Sequence, residues 1–464
     1  MFAADEVDVA RVSGYERIGG LYEFEIDFVA KDPNGYDPEQ LTCAVAALTF
    51  LEEGTPIRRI DGLVSRVDES LDDETHRPVY RLHLVPRSYL LRLIETQEVF
   101  LDLTVPQIIA KKLELCNLDY EQLLSREYPE REFVVQYRES DLAFISRLCE
   151  QDGISFYIVS QDGHDRLCFT DDNRFHRLAD ERSTVPFQPR GDRVNLYQLN
   201  RVAQMIPRIY AVGDYNYRTP LVDVSAASES SIGDGGGIVE FGGLIKTPAH
   251  AEEMAAIRRE ERECRRVVFR GKTDRADLAA GTLFRIGEHP LFEDSDLLVT
   301  EARHDLVQVA HGSSGGDRLY SNELVAVRTA TVFRPERTTP RPRIHGVVSG
   351  IVLPKPGSDG TQPWLDEEGR YTVRILFDTA DHDGKASHQV RQAQQHSGPG
   401  YGTHFPLRPG VEVLMAFIDG DVDRPVIIGS APNTVTPSPV AAQEALHHRI
   451  QTASGIKIEF EDGF

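Results

Sequence analysis

The chain has 464 residues, 40% of them hydrophobic, and a formal net charge of −23. That length exceeds one hydrophobic core and calls for about two to four domains. The acidity argues against nucleic acid or an anionic membrane as a partner of the whole chain, and the acidic start (Asp5, Glu6) lacks the basic and apolar regions of a signal peptide.

No apolar run approaches the ~18 residues of a membrane helix. The five cysteines (Cys43, Cys116, Cys149, Cys168, Cys264) are scattered and never form C-x-x-C, so reduced, buried thiols are expected, and no zinc site. No H-E-x-x-H is present among the fifteen histidines.

The first 335 residues read as strand-rich. Residues 21–28 alternate apolar with acidic, the period of a half-buried strand. Strands follow over 43–51, 60–67 and 80–86. A helix opens at Thr104, where Thr104 and Gln107 form a capping box and Val105, Ile108, Ile109 and Leu113 share a face. A second begins near Ser140, with Leu142, Ile145, Leu148 and Cys149 at helical spacing and Gly153 placed to end it before a strand over 154–159. Thr247-Pro248 caps a third helix carrying Met254, Ile257 and Cys264. Residues 234–237 form a flexible glycine loop.

Prolines 335, 340 and 342 mark an extended linker over 333–342, the domain boundary. Five short strands follow, over 344–353, 371–377, 388–392, 411–418 and 426–430, the complement of an OB barrel. Asp419-Gly420 supplies the tight turn between the last two, and Pro425 enters the closing strand at its edge. A proline-rich connector leads to a final strand in which Ile456, Ile458 and Phe460 point one way and Lys457, Glu459 and Glu461 the other. Such a strand needs partners.

Several motifs yield to plainer readings. Residues 312–316 fit G-x-S-x-G, but their flanks are both strand-like, so a hairpin loop is expected in place of a nucleophile elbow. Residues 344–433 hold seven Lys/Arg against eleven Asp/Glu, which disfavours single-stranded nucleic acid, and Trp364 and Tyr371 read as turn and core residues. The acidic runs 366–368 and 378–383 lack calcium-loop spacing. Residues 419–424 read as a rigid salt-bridged turn. No catalytic, cofactor or metal residues are assigned.

The order Gly400, Gly402, Phe405, Pro406, Arg408, Gly410, Glu412, Val413, then Asp421, Asp423, Arg424 and Pro425, resembles the OB segment of the VgrG family, the spike proteins of type VI secretion. Residues 21–33, 80–93 and 136–158 resemble that family too, and the likeness spans about residues 8–464. It implies a mainly β fold with a few helices: tandem β-barrel hub domains over 1–335, an OB-fold domain over 343–433, a linker over 434–451, and from 452–464 the beginning of a triple-stranded β-helix needle, with Ile456, Ile458 and Phe460 on the trimer strand. The chain would stop as that needle begins and start a few residues short of the usual first strand.

The resemblance also implies a non-enzymatic homotrimer that caps an Hcp-like tube, contacts baseplate components and carries a PAAR-type tip and effector cargo. It would be assembled in the cytoplasm and secreted without a signal peptide or membrane anchor. Only 18 residues (434–451) separate barrel and needle, too few for the lysozyme domain of related phage spikes, since a domain takes at least ~50. Two departures leave the subtype open: residues 376–381 replace an aromatic-basic run, and Gly400-Tyr401-Gly402 stands where glycine-tryptophan-glycine is usual. The hub of a phage tail or extracellular injection particle is the alternative within this class. A glycan-binding or hydrolytic module is the alternative outside it, and would show a pocket of convergent polar groups with perturbed ionisation.

Overall fold

The computed structural model describes residues 3–52, 54–72, 77–178, 184–188, 195–293, 295–308, 319–379 and 389–463. The chain forms two compact units. One gathers residues 1–94, 105–129 and 140–340, the other residues 95–104, 130–139 and 341–464.

The first unit is built on a 12-stranded sheet. Nine of its strands form a continuous path: β1 (Val7–Arg17), β2 (Glu23–Ala30), β3 (Val45–Glu52), β4 (Thr55–Leu71), β5 (Pro78–Val85), β6 (Leu196–Ala203), β7 (Val267–Thr273), β8 (Asp296–Val307) and β9 (Leu319–Arg328), in the spatial order β6-β7-β9-β8-β1-β2-β5-β4-β3. The pattern foreseen in β2 holds: Phe24 and Phe28 are buried while Glu23 faces out. Strands that the sequence assigns to paired barrels are thus joined edge to edge into one curled sheet.

The three longest helices of this unit among the described residues are α1 (Val105–Leu115), α2 (Asp141–Asp152) and α3 (Pro248–Glu263). In α1 the predicted face, Val105, Ile108, Ile109 and Leu113, is the buried one. Lys112 on the same helix is also buried and pairs with Asp141 Oδ1 at 3.0 Å, so the ion is compensated rather than stranded. Ser140 caps α2 by accepting from Ala143 N at 3.2 Å, and Gly153 ends it in the left-handed region at φ 67°. Thr247 caps α3 by accepting from His250 N at 3.2 Å, with Pro248 in the first turn.

The 333–340 segment is extended as expected but not loose. Phe333 N donates to Asn173 Oδ1 at 2.9 Å, and Thr338 and Thr339 N both donate to Glu150 Oε2 at 3.0 and 2.9 Å. Arg334 donates to Glu260, to the Gly153 carbonyl and to the Asp171 carbonyl.

The second unit centres on a closed five-stranded barrel. Its strands are β10 (Val348–Val352), β11 (Tyr371–Ile375), β12 (Gln389–Gln392), β13 (Glu412–Phe417) and β14 (Pro425–Ser430), ordered β10-β11-β12-β14-β13 and closed by the β10–β13 pair. Val352, Val373, Ile375, Val413, Met415 and Ile427 fill the interior, joined by Val99, Phe133 and Val135 from segments far earlier in the chain. Gly350 is required here, because a Cβ would lie 2.5 Å from Val373 and 2.9 Å from Met415. The unit ends on a hairpin, β15 (His447–Gln451) against β16 (Lys457–Glu461).

Candidate assembly surfaces

The acidic turn after β13 is a knot of ion pairs. Arg341 Nη2 reaches Asp421 Oδ1 and Asp423 Oδ2, both at 2.8 Å, and Arg424 Nε lies 3.4 Å from Asp421 Oδ2. Asp423 Oδ1 also accepts from Val135 N at 2.7 Å, tying the 130–139 segment to the barrel. Burial pushes the Asp421 carboxyl up, as does neighbouring Asp423, against the pull of Arg341. The positive backbone angles fall at Asp419 (φ 54°) and Gly420 (φ 73°), where the tight turn was foreseen.

Glu412 accepts from Ser349 Oγ at 2.9 Å and Asn433 Nδ2 at 3.2 Å, and the hydrogen bonds from Asn433 and Ser349 hold its carboxyl below the usual range. Arg408 donates to the Thr361 carbonyl at 3.2 Å. Pro425 opens β14 opposite Phe417. Gly400, Gly402 and Gly410 all have positive φ, and at Gly402 a Cβ would lie 2.6 Å from the His396 carbonyl. Phe405 and Pro406 are exposed, whereas the next residue, Leu407, is buried. These residues shape the barrel and its loops and do not converge on a cavity.

The other motifs resolve similarly. Tyr371 is buried in the barrel core, its hydroxyl accepting from Leu407 N at 3.1 Å. The 366–368 cluster is held by Arg370, whose Nε lies 2.5 Å from Asp366 Oδ2 and 3.4 Å from Glu368 Oε2. Residues 312–316 and 380–383 lie outside the described residues. Cys149, Cys168 and Cys264 are buried, but Cys43 is exposed and Cys116 half-buried, contrary to the expectation for all five. Among the described residues no group of three or more His, Cys, Asp or Glu could hold a metal.

The terminal strand is where the structure adds most. The sequence leaves it without a partner in its own chain, yet β15, inside the expected linker, pairs with it in register, Ile450 opposite Ile458 and His448 opposite Phe460. The hairpin is inside out. Its charged face folds onto its own chain: the Arg449 side chain, 7% exposed, is bound by Glu444 and Glu459. Hydrogen bonds from Lys457 and Arg449 take the Glu459 carboxyl down to about 2. Its apolar face is bare, with Ile450 50%, Ile456 68%, Ile458 55% and Phe460 67% exposed. Isolated apolar residues on a surface are ordinary, whereas a contiguous bare face marks an interaction site.

The chain matches the phage tail baseplate hub (GPD) family over residues 15–310. It is 30% identical over 465 residues to the type VI secretion system spike protein VgrG4b of Pseudomonas aeruginosa, covering 94% of this chain and 55% of that protein. To VgrG1b of the same organism it is 26% identical over 445 residues, covering 93% of this chain and 59% of that protein. The chain thus spans little more than half the length of these relatives. Its fold is similar to that of an Escherichia coli component of the type VI secretion system described as structurally similar to T4 bacteriophage tail proteins gp27 and gp5, with a TM-score of 0.68 and 22% identity over 92% of this chain and 97% of that one. A curled 12-stranded sheet in one unit and a closed five-stranded barrel in the other, with the family match over residues 15–310, mark a tail-hub protein. The chain belongs to the phage tail baseplate hub (GPD) family, and the curated relatives it is similar to are VgrG spike proteins of type VI secretion.

Proposed function

We propose that this chain is the structural hub and spike subunit of a contractile injection machine of the type VI secretion kind. Three copies assemble through the apolar face of the β15–β16 hairpin, where the needle begins. The 12-stranded sheet provides the hub that caps an Hcp-like tube, and the five-stranded barrel is the OB-fold neck. A PAAR-type tip, effector cargo and baseplate components are its further partners. Its action is mechanical delivery through a target envelope, after cytoplasmic assembly and without catalysis by this chain. The observation that carries this reading is the hairpin, whose polar side is satisfied within the chain and whose Ile450, Ile456, Ile458 and Phe460 are left to a partner.

Light scattering tests it. The 464-residue chain is expected at three times its 52.0 kDa mass, and Ile458→Glu is expected to return it to one. A wild-type particle of single-chain mass, or a trimer indifferent to Ile458→Glu, would overturn the hairpin as the contact. The hub of a phage tail or extracellular injection particle is the second reading, favoured by the phage-hub family match over residues 15–310. Identifying the tube protein that the hub binds separates the two.

A further inference from the structure

The outward face of β6, β7, β9, β8 and β1 carries two adjacent cavities of about 350 and 430 Å³ that share Arg270, Glu301 and Val325. Strand register sets the side chains in rows. One row runs Arg17, Glu301, Val325, Arg270, Asn200, and the next Tyr15, Arg303, Glu323, Lys272, Gln198.

Most charges in this patch are already satisfied. Lys272 Nζ lies 2.5 Å from Glu323 Oε1, Tyr15 donates to Glu301 Oε2 at 3.1 Å, and Arg303 stacks over the Tyr15 ring at 5.8 Å. Arg11 meets Asp305 at 3.3 Å just beyond. Arg17 and Arg270 are different. Both are exposed, and neither has an ion-pair partner among the described residues. Glu301, opposite Arg17 in the register, is engaged by Tyr15 instead. Beside Arg270, the side-chain amides of Gln198 and Asn200 are exposed as well, and between the two arginines the row holds half-buried Val325, next to Arg270, and Glu301, next to Arg17 and hydrogen-bonded by Tyr15. In a chain of net charge −23, two open guanidinium groups set against the one carboxylate of Glu301 in this row are a complement to negative charge that most of this chain's surface would repel.

We propose that this groove binds an extended acidic segment of a partner protein, with two carboxylates four residues apart on Arg17 and Arg270. Arg17 and Arg270 stand three strand spacings apart, ~14 Å, and an extended chain covers ~13 Å from residue i to i+4 with both side chains on one side. The intervening residue i+2 then lies between Glu301 and Val325, so a short uncharged side chain fits there. The amides of Gln198 and Asn200 are placed to bond the segment's main chain beyond Arg270. Guanidinium pairs with carboxylate in bidentate fashion, which gives the contact direction as well as charge. The inference is independent of the trimer contact, since every residue it uses lies on the sheet of the first unit.

Fluorescence anisotropy with the full chain tests it. The probe is a labelled peptide Gly-Ser-Glu-Thr-Val-Thr-Glu-Ser-Gly. Saturable binding is expected, weakened about tenfold by Arg17→Ala or by Arg270→Ala and unchanged by Arg66→Ala, an exposed arginine paired with Asp68 elsewhere on the sheet. A peptide with its two glutamates made adjacent should bind as weakly as the variants allow. No saturable binding, equal binding of both peptides, or indifference to Arg17→Ala and Arg270→Ala would each overturn the proposal. Because the readout is peptide binding, it is separate from the oligomeric state measured by light scattering.

Discussion

At Gly153 the backbone turns left-handed at φ 67° to close α2, and a Cβ there would sit 2.9 Å from Ile257 Cγ2 and 3.0 Å from Arg334 Cδ. Two costs therefore coincide: the positive φ, which L side chains resist, and a close approach of α3 and the 333–340 segment. The Gly153 carbonyl itself accepts from Arg334 at 3.0 Å, so displacing it disturbs that anchor too. Gly153→Ala is expected to destabilise the first unit by about 2 kcal/mol, read as a lowered urea midpoint with unchanged slope. Gly153→Asn, whose side chain tolerates the left-handed region, should recover only the conformational part, because its Cβ meets the same neighbours. Equal stability of wild type and both variants would remove Gly153 from any special role.

At the scale of elements, β1, β4, β8 and β9 share a buried polar network. Glu16 Oε1 meets His304 Nε2 at 2.6 Å, Arg58 Nη2 meets Glu16 Oε2 at 2.8 Å, and His304 Nδ1 meets the Tyr320 hydroxyl at 2.6 Å. Burial raises the Glu16 carboxyl, but Arg58 and the hydrogen bond from His304 outweigh it and hold it at about 2, while burial lowers His304. Both shifts act in the same direction with pH. His304 resists the proton that the unfolded chain takes up below its ordinary value near 6.5. Glu16 loses its charged-state advantage as pH falls from 4.5 towards 2. Stability of the first unit should therefore decline first below pH ~6.5 and again below ~4.5. His304→Gln, which cannot charge, is expected to flatten the upper part of that decline in a series of urea midpoints. A wild-type curve level from pH 7 to 5 would contradict the assignment.

Legibility divides along the same line between local and distant. The caps of α2 and α3 and the strands of the barrel were readable because each depends on residues within a turn or on a period of two. The attachment of Val99, Phe133 and Val135 to the barrel core was not, since their partners lie more than 200 residues away and nothing in their own pattern differs from a strand of the first unit. The anchoring of 333–340 escaped for the same reason: Glu150 and Asn173 are distant in sequence. Strand β15 was hidden differently. His447-His448-Arg449-Ile450-Gln451 has a single apolar residue, because its inward face is an ion pair rather than a hydrophobic row. The apolar side of β16 could be read from Ile456, Ile458 and Phe460; that the bare face extends to Ile450 could not.

For the whole molecule the governing quantity is charge. Each copy carries −23, and three would carry −69, so the proposed assembly would bring like charges together and the apolar hairpin face would have to outweigh their repulsion. Apolar contact is little weakened by modest salt, whereas repulsion between exposed charges fades as the Debye length shrinks from ~30 Å at 0.01 M to ~8 Å at 0.15 M. Association should therefore tighten as sodium chloride is raised across that range, with the trimer appearing at lower protein concentration in sedimentation or light scattering. Complementary charged patches would give the opposite trend, because screening weakens attraction. Ile458→Glu should abolish assembly at every salt concentration. Dissociation with rising salt would instead assign the contact between copies to ion pairs, and would move it off the face formed by Ile450, Ile456, Ile458 and Phe460.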